Sequence, residues 1–116
     1  MENQRVDKRV MLIRSAPGSR EADSALEKCR QWLASGCDEL IVFFHGEGVA
    51  HATDGKDIRW RGLARQQGVS LEVCSAAWRR RSEQSIPPPF RESTLVQFWH
   101  HAIGARQTSC CGNVDE

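Results

Sequence analysis

Cys74 is the residue best placed to do chemistry in this chain. It closes the run Val69-Ser70-Leu71-Glu72-Val73-Cys74 and is followed at once by Ser75-Ala76-Ala77-Trp78-Arg79-Arg80-Arg81. The first segment alternates apolar and polar residues as a strand does, and the second contains no helix breaker. A thiol is therefore expected at the carboxyl end of a strand, where the chain turns into a helix. Open parallel sheets carry their ligands and reactive groups at that position. Unpaired N–H groups at a helix start and nearby guanidinium charge both favour the thiolate, which is the nucleophilic form of cysteine. The competing reading is that Cys74 is one more small buried hydrophobe.

Other side chains are candidates to act with it. His45 follows an apolar run and, because imidazole titrates near neutrality, it can hold or donate a proton at the same rim; a loop histidine without chemistry is the alternative. Glu47 either orients its loop or contacts a partner, or is a plain surface carboxylate. Trp78 is expected to line the cysteine pocket, and Arg79 with its neighbours Arg80 and Arg81 reads as a solvated face or a docking surface. Glu72 shares strand parity with Cys74. A carboxylate there opposes thiolate formation, so it is expected to be paired or exposed. Cys110 and Cys111 are adjacent and lie downstream of His100 and His101, but the spacing fits no common zinc pattern. They read as an oxidisable tail, and no metal site is assigned.

The elements that must position these groups follow from the apolar pattern. Arg9-Val10-Met11-Leu12-Ile13 reads as a first strand, closed by turn formers at residues 15–19 that have one glycine and no phosphate-loop signature. Ala22, Ala25, Leu26, Cys29, Trp32 and Leu33 recur at helical spacing, with Gly36 placed to end the helix and Cys29 on its inward stripe. Leu40-Ile41-Val42-Phe43-Phe44 is a continuous apolar run and predicts a central strand covered on both faces. A polar loop is expected from His45 to about residue 57, then a helix over residues 57–67 with Trp60, Leu63 and Ala64 inward. Pro87-Pro88-Pro89 marks an extended connector. The spacing predicts a last helix over residues 92–103 with Leu95, Val96, Phe98, Trp99 and Ala102 inward, and a short edge strand in the tail.

Strands alternating with helices give a three-layer α/β/α sandwich on a mainly parallel sheet of four to five strands. Its three main strand exits then share one rim, which gathers residues 15–19, residues 45–48 and Cys74. A chain of 116 residues is expected to be a single domain over residues 1–116, with a polar extension at 1–8 and an edge strand and flexible tail within 105–116. Sixteen basic against fifteen acidic residues, a net charge of +1, do not point to nucleic acid or a membrane surface. The start of the chain lacks the apolar core of a secretory signal, and five cysteines without a framework spacing suit reduced thiols, so a cytoplasmic setting is expected.

Phe43-Phe44-His45-Gly46-Glu47-Gly48-Val49, Gly68-Val69-Ser70-Leu71-Glu72-Val73-Cys74 and Ala76-Ala77-Trp78-Arg79-Arg80, taken in this order, resemble the DsrE/TusD family of sulfur-relay proteins. The resemblance covers residues 9–81 and, more loosely, 90–112. It implies a DsrEFH-like fold, a persulfide carried on Cys74, no cofactor, and a small sulfur-carrier protein or rhodanese-like donor as partner within a homo- or hetero-oligomer. Three departures stand out: a short proline-rich stretch between Arg81 and Phe90, His45 where an aromatic is frequent, and Cys110-Cys111 in place of an apolar last strand. A non-catalytic assembly subunit of a relay complex, and a thiol redox or metal sensor using Cys110 and Cys111, are the alternative functions.

Overall fold

The computed structural model describes residues 6–53 and 58–111. Five strands, β1 (Lys8–Ile13), β2 (Glu39–Phe44), β3 (Val69–Cys74), β4 (Phe90–Ser93) and β5 (Gln107–Cys111), form one sheet in the order β4-β3-β2-β1-β5, with every neighbouring pair parallel. Four helices, α1 (Arg20–Ala34), α2 (Ile58–Leu63), α3 (Ser75–Arg79) and α4 (Leu95–Ile103), connect them, together with a 3-10 turn over Gly46–Ala52. The chain is the α/β/α sandwich that its alternating pattern predicts.

The path from β1 to β4 steps one way across the sheet, and the path from β4 to β5 returns across all of it. Right-handed crossovers therefore place α1, α2 and α3 on one face and α4 on the other. Phe43 and Phe44, adjacent on β2 and so pointing to opposite faces, report both layers. The Phe44 ring meets Trp60 of α2 at 5.4 Å between centroids, and Phe43 meets Phe98 of α4 at 5.3 Å. β2 is buried from Leu40 to Phe44, as its unbroken apolar run requires of a strand covered on both sides.

Helix α1 has the expected inward stripe: Ala22, Ala25, Leu26, Cys29 and Trp32 are buried, and the Ser19 hydroxyl caps its start by accepting from the Ala22 N–H at 3.1 Å. Two glycines are demanded by close approach. A Cβ at Gly48 would lie 2.1 Å from the Ile13 carbonyl oxygen, and one at Gly68, whose φ is +86°, would lie 2.3 Å from that of Asp38. The first lets the turn after β2 fold down on the end of β1; the second lets β3 enter beside β2.

Several sequence expectations are corrected. Residues 46–52 form the 3-10 turn, with Val49, His51 and Ala52 buried, where a polar loop is predicted. Helix α2 ends at Leu63 instead of running to 67, and residue 57, its predicted start, lies outside the described residues. Residues 90–93 are strand β4, so the last helix starts at Leu95, after the Thr94 hydroxyl cap. Of the predicted inward set on α4 only Phe98 is fully buried; Val96 is 74 % and Trp99 61 % exposed, with Leu95 and Ile103 also exposed. The reason is topological: α4 has its face of the sheet without a neighbouring helix among the described residues, so one row of side chains reaches the sheet and the rest of its apolar surface does not. The pair Cys110-Cys111 lies in β5, hydrogen-bonded along the edge of β1, and not in a loose tail.

Candidate functional site

Cys74 is the last residue of β3 and the N-cap of α3, with extended backbone (φ −63°, ψ 116°). The strand-to-helix junction is where the alternation placed it. Its exposure is not what an open rim thiol would have: 4 %. The unrecognised strand β4 accounts for this, because β3 becomes an interior strand between β2 and β4, and Cys74 sits directly across from Ser93.

His45 is the other predicted site residue that the fold brings to Cys74. Phe44 is paired with Val73, so the next register position sets His45 beside Cys74 at the ends of adjacent strands. Parity gives the two side chains the same face, that of α4, and the His45 ring stacks over Phe43 on that face at 6.4 Å between centroids and 18° between planes. Desolvation holds the imidazole below its ordinary pKa, and the positive charges of Arg14 and Arg80 push it the same way. His45 is thereby biased to its neutral form, able to accept a proton or a hydrogen bond. It also lines an apolar cavity of about 410 Å³ with Leu12, Leu95, Phe98, Trp99 and Cys110.

The remaining predicted residues lie elsewhere. Trp78 and Arg79 belong to α3, which packs on the opposite face of the sheet; the Trp78 indole N–H donates to the Gln84 carbonyl at 2.7 Å, and Arg79 pairs with Glu92 at 3.2 Å on the surface. They border a cleft of about 560 Å³ in which Cys74 has no lining atom. Glu47, in the first turn after β2, lines a separate rim cavity of about 500 Å³ with Arg14, Ser15 and Ser19.

Under Cys74 lies a polar cluster on the α4 face. Glu72, two residues earlier and of the same parity, accepts from the Ser93 hydroxyl at 2.9 Å through Oε1, and through Oε2 it meets the Ser70 hydroxyl at 3.3 Å and the His101 Nε2 at 3.3 Å. The expectation that this carboxylate is paired is met. Its partners were missed for identifiable reasons. Periodicity places Ser93 in a helix, and in the sequence His101 reads only as a metal ligand beside Cys110 and Cys111.

The other cysteines separate clearly. Cys29 is fully buried, and burial pushes its thiol up to about 12. Cys37 is buried and donates toward the Glu39 and Asp7 carbonyls, with burial again raising its pKa. Cys110 is exposed while Cys111 is buried, donating to the Glu21 carbonyl at 3.2 Å. Neighbours on a strand point to opposite faces, so their two thiols do not meet. Among the described residues no group of three or more histidine, cysteine, aspartate and glutamate side chains is arranged to hold a metal ion, and no helix is long and apolar enough to cross a membrane.

No family model matches the chain. Curated relatives do: a protein named Sulfurtransferase TusD from Erwinia tasmaniensis is 41 % identical over 81 residues, covering 62 % of this chain and 63 % of that relative. Proteins of the same name from an Enterobacter species and from Salmonella arizonae are 37 % and 36 % identical over the same shares. The chain thus spans somewhat under two thirds of the length of these relatives. Among solved structures, the ychN protein of E. coli superposes with a TM-score of 0.75 at 20 % identity, over 90 % of this chain and 98 % of that one. A protein of unknown function from Methanobacterium thermoautotrophicum superposes with a TM-score of 0.73 at 15 % identity, over 89 % and 99 %. The chain is thus similar in sequence to curated TusD sulfurtransferases, and it shares the five-stranded parallel sandwich of these two solved structures.

Proposed function

We propose that the protein is a cytoplasmic sulfur-transfer protein that carries sulfane sulfur as a persulfide on Cys74 and exchanges it with a small sulfur-carrier protein or a rhodanese-like donor. The observation that carries this reading is the placement of Cys74 and His45 at adjacent register positions on the rim of a TusD-like sheet. The chemistry needs no cofactor. The Cys74 thiolate attacks the outer sulfur of a donor persulfide, a new S–S bond forms, and the donor's S–S bond breaks with its electron pair leaving on the donor thiolate. Transfer onward repeats the step with Cys74 as the leaving thiolate. Neutral His45 takes the Cys74 proton on loading and returns it when the sulfur departs, a role that its depressed pKa suits. The exposed apolar row of α4, with Trp99 and Val96, supports assembly with a further copy or a partner subunit. On this reading Trp78, Arg79 and Glu47 contact partners instead of the reacting sulfur.

The test is intact-protein mass spectrometry after incubation with a low-molecular-weight persulfide. The wild type should gain one sulfur atom, reversibly with reductant, and Cys74→Ala should not. Changing Cys110 and Cys111 together should leave the loading at Cys74 in place. Loading that survives Cys74→Ala and is lost in the double variant would overturn the assignment.

The 4 % exposure of Cys74 favours a second reading, that of a non-catalytic assembly subunit. A wild type that never loads, alone or with a partner subunit, would decide for it. The sensor reading loses support from geometry, since Cys110 and Cys111 occupy opposite faces of β5.

A further inference from the structure

The cluster beneath Cys74 is unusual for a parallel sheet of this size. Strand β3 is an interior strand, and its α4 face would ordinarily carry apolar side chains, yet it carries Ser70 and Glu72 below the thiol. The Glu72 side chain is only 13 % exposed. A carboxylate so placed is costly unless its oxygens are satisfied, and here two hydroxyl donors, Ser93 and Ser70, satisfy them, with the His101 Nε2 3.3 Å from Oε2. The Ser93 bond also fixes where the charge sits. Ser93 is the cross-strand partner of Cys74, so a carboxylate oxygen 2.9 Å from its hydroxyl has been drawn up the sheet toward the thiol's own register.

We propose that Glu72 is a charge placed to drive sulfur off Cys74: pinned near the thiol by Ser93 and tethered from α4 by His101, its carboxylate disfavours the persulfide anion and makes Cys74 a point of transit instead of storage. The inference rests on the sulfur-carrier reading above. A persulfide is a stronger acid than the thiol from which it forms, so loading a cysteine favours an anion in place of a thiol. A fixed negative charge close by raises the free energy of that anion. It weakens retention: an acceptor thiolate takes the outer sulfur, the electron pair of the breaking S–S bond returns to Cys74, and once His45 returns the proton the negative charge beside Glu72 is gone. Ser93 and His101 are positioning residues, acting only through Glu72. Arg14 and Arg80, whose charges act on His45, supply the opposing charge from the rim, so the anion is formed between a positive side and a negative one.

The experiment measures the occupancy of the persulfide on Cys74, by peptide-resolved mass spectrometry, at a fixed ratio of glutathione persulfide to glutathione. Glu72→Gln keeps the acceptor for Ser93 and removes the charge. It should raise the loading equilibrium by up to about fiftyfold, the order expected of one charge about 7 Å (two strand residues) away at the effective dielectric near a protein surface. His101→Ala leaves the carboxylate less compensated and should lower occupancy two- to threefold as an order of magnitude. That effect should vanish in Glu72→Gln/His101→Ala, a pattern of opposite signs with dependence on Glu72 that general loss of packing does not produce. Unchanged or reduced occupancy in Glu72→Gln, with loading still lost in Cys74→Ala, would overturn this proposal and leave the carrier reading standing. A wild type that does not load would overturn both. The ratio of iodoacetate to iodoacetamide reactivity at Cys74 then judges the charge by itself: it should rise in Glu72→Gln, and an unchanged ratio would show that the carboxylate does not act on the thiol.

Discussion

Replacing Cys74 by serine should destabilise the fold measurably, and more than replacing it by alanine. A thiol at an open rim would tolerate either change, but Cys74 is 4 % exposed and lies between two strands, with Ser93 across from it. Alanine loses the contacts of one sulfur atom and leaves a small void, which costs about 1 kcal/mol. Serine loses the same contacts and adds a hydroxyl withdrawn from water. Its nearest partner, the Ser93 hydroxyl, is oriented by donating to Glu72, so its lone pairs must be met at the angle that bond leaves them. A buried hydroxyl with a compromised partner adds roughly another kcal/mol, for a total of about 2 kcal/mol. With an unfolding entropy of about 2.1 cal/mol/K per residue, a chain of this length shifts its melting temperature by about 4 °C per kcal/mol. Cys74→Ala should therefore melt about 4 °C and Cys74→Ser about 8 °C below the wild type in parallel calorimetric scans. The loading experiment is accordingly better done with alanine. If both variants melted within a degree of the wild type, or serine proved the milder change, Cys74 would be solvated, and the argument from an interior β3 would fail.

Three further outcomes follow from the structure. Gly48→Ala forces a Cβ against the Ile13 carbonyl and should cost about 2 kcal/mol or more, read as a drop in the urea midpoint; wild-type stability would mean that the turn after β2 does not approach β1 this closely. His45, held below its ordinary pKa, binds its proton less readily in the folded chain than in the unfolded one, so its contribution to stability is fully present above the ordinary histidine value and is lost as the pH falls from there through its own lowered one. Arg80→Ala should move the His45 titration upward by NMR, and a downward move would contradict the assigned charge effect. Native thiol labelling should modify Cys110 first, with Cys29, pushed up to about 12 and fully buried, modified only on unfolding; early loss of the Cys29 thiol would contradict its burial.

The sequence by itself determined the local elements wherever one periodicity dominated. The stripe of α1, the unbroken apolar run of β2 and the alternation ending at Cys74 each admit one secondary structure and one inward face, because each side chain's burial follows from its own segment. The parity of Glu72 with Cys74, and hence the need to pair that carboxylate, was readable in the same way. Strand β4 was not. Its four residues, Phe90-Arg91-Glu92-Ser93, carry one apolar side chain, and only the hydrogen-bonding edge offered by β3 makes them a strand. That single long-range pairing decided what Cys74 would be, since it converts an open rim position into an interior one and brings Ser93 to Glu72. The crossover from β4 to β5 decided the rest. By carrying α4 alone to the far face, it left Trp99 and Val96 exposed where periodicity turns them inward, and it set His101 against Glu72 from an element 29 residues away in the chain. Such contacts depend on which strand lies beside which, and strand order is fixed by the packing of the whole chain, beyond the reach of any one segment's pattern.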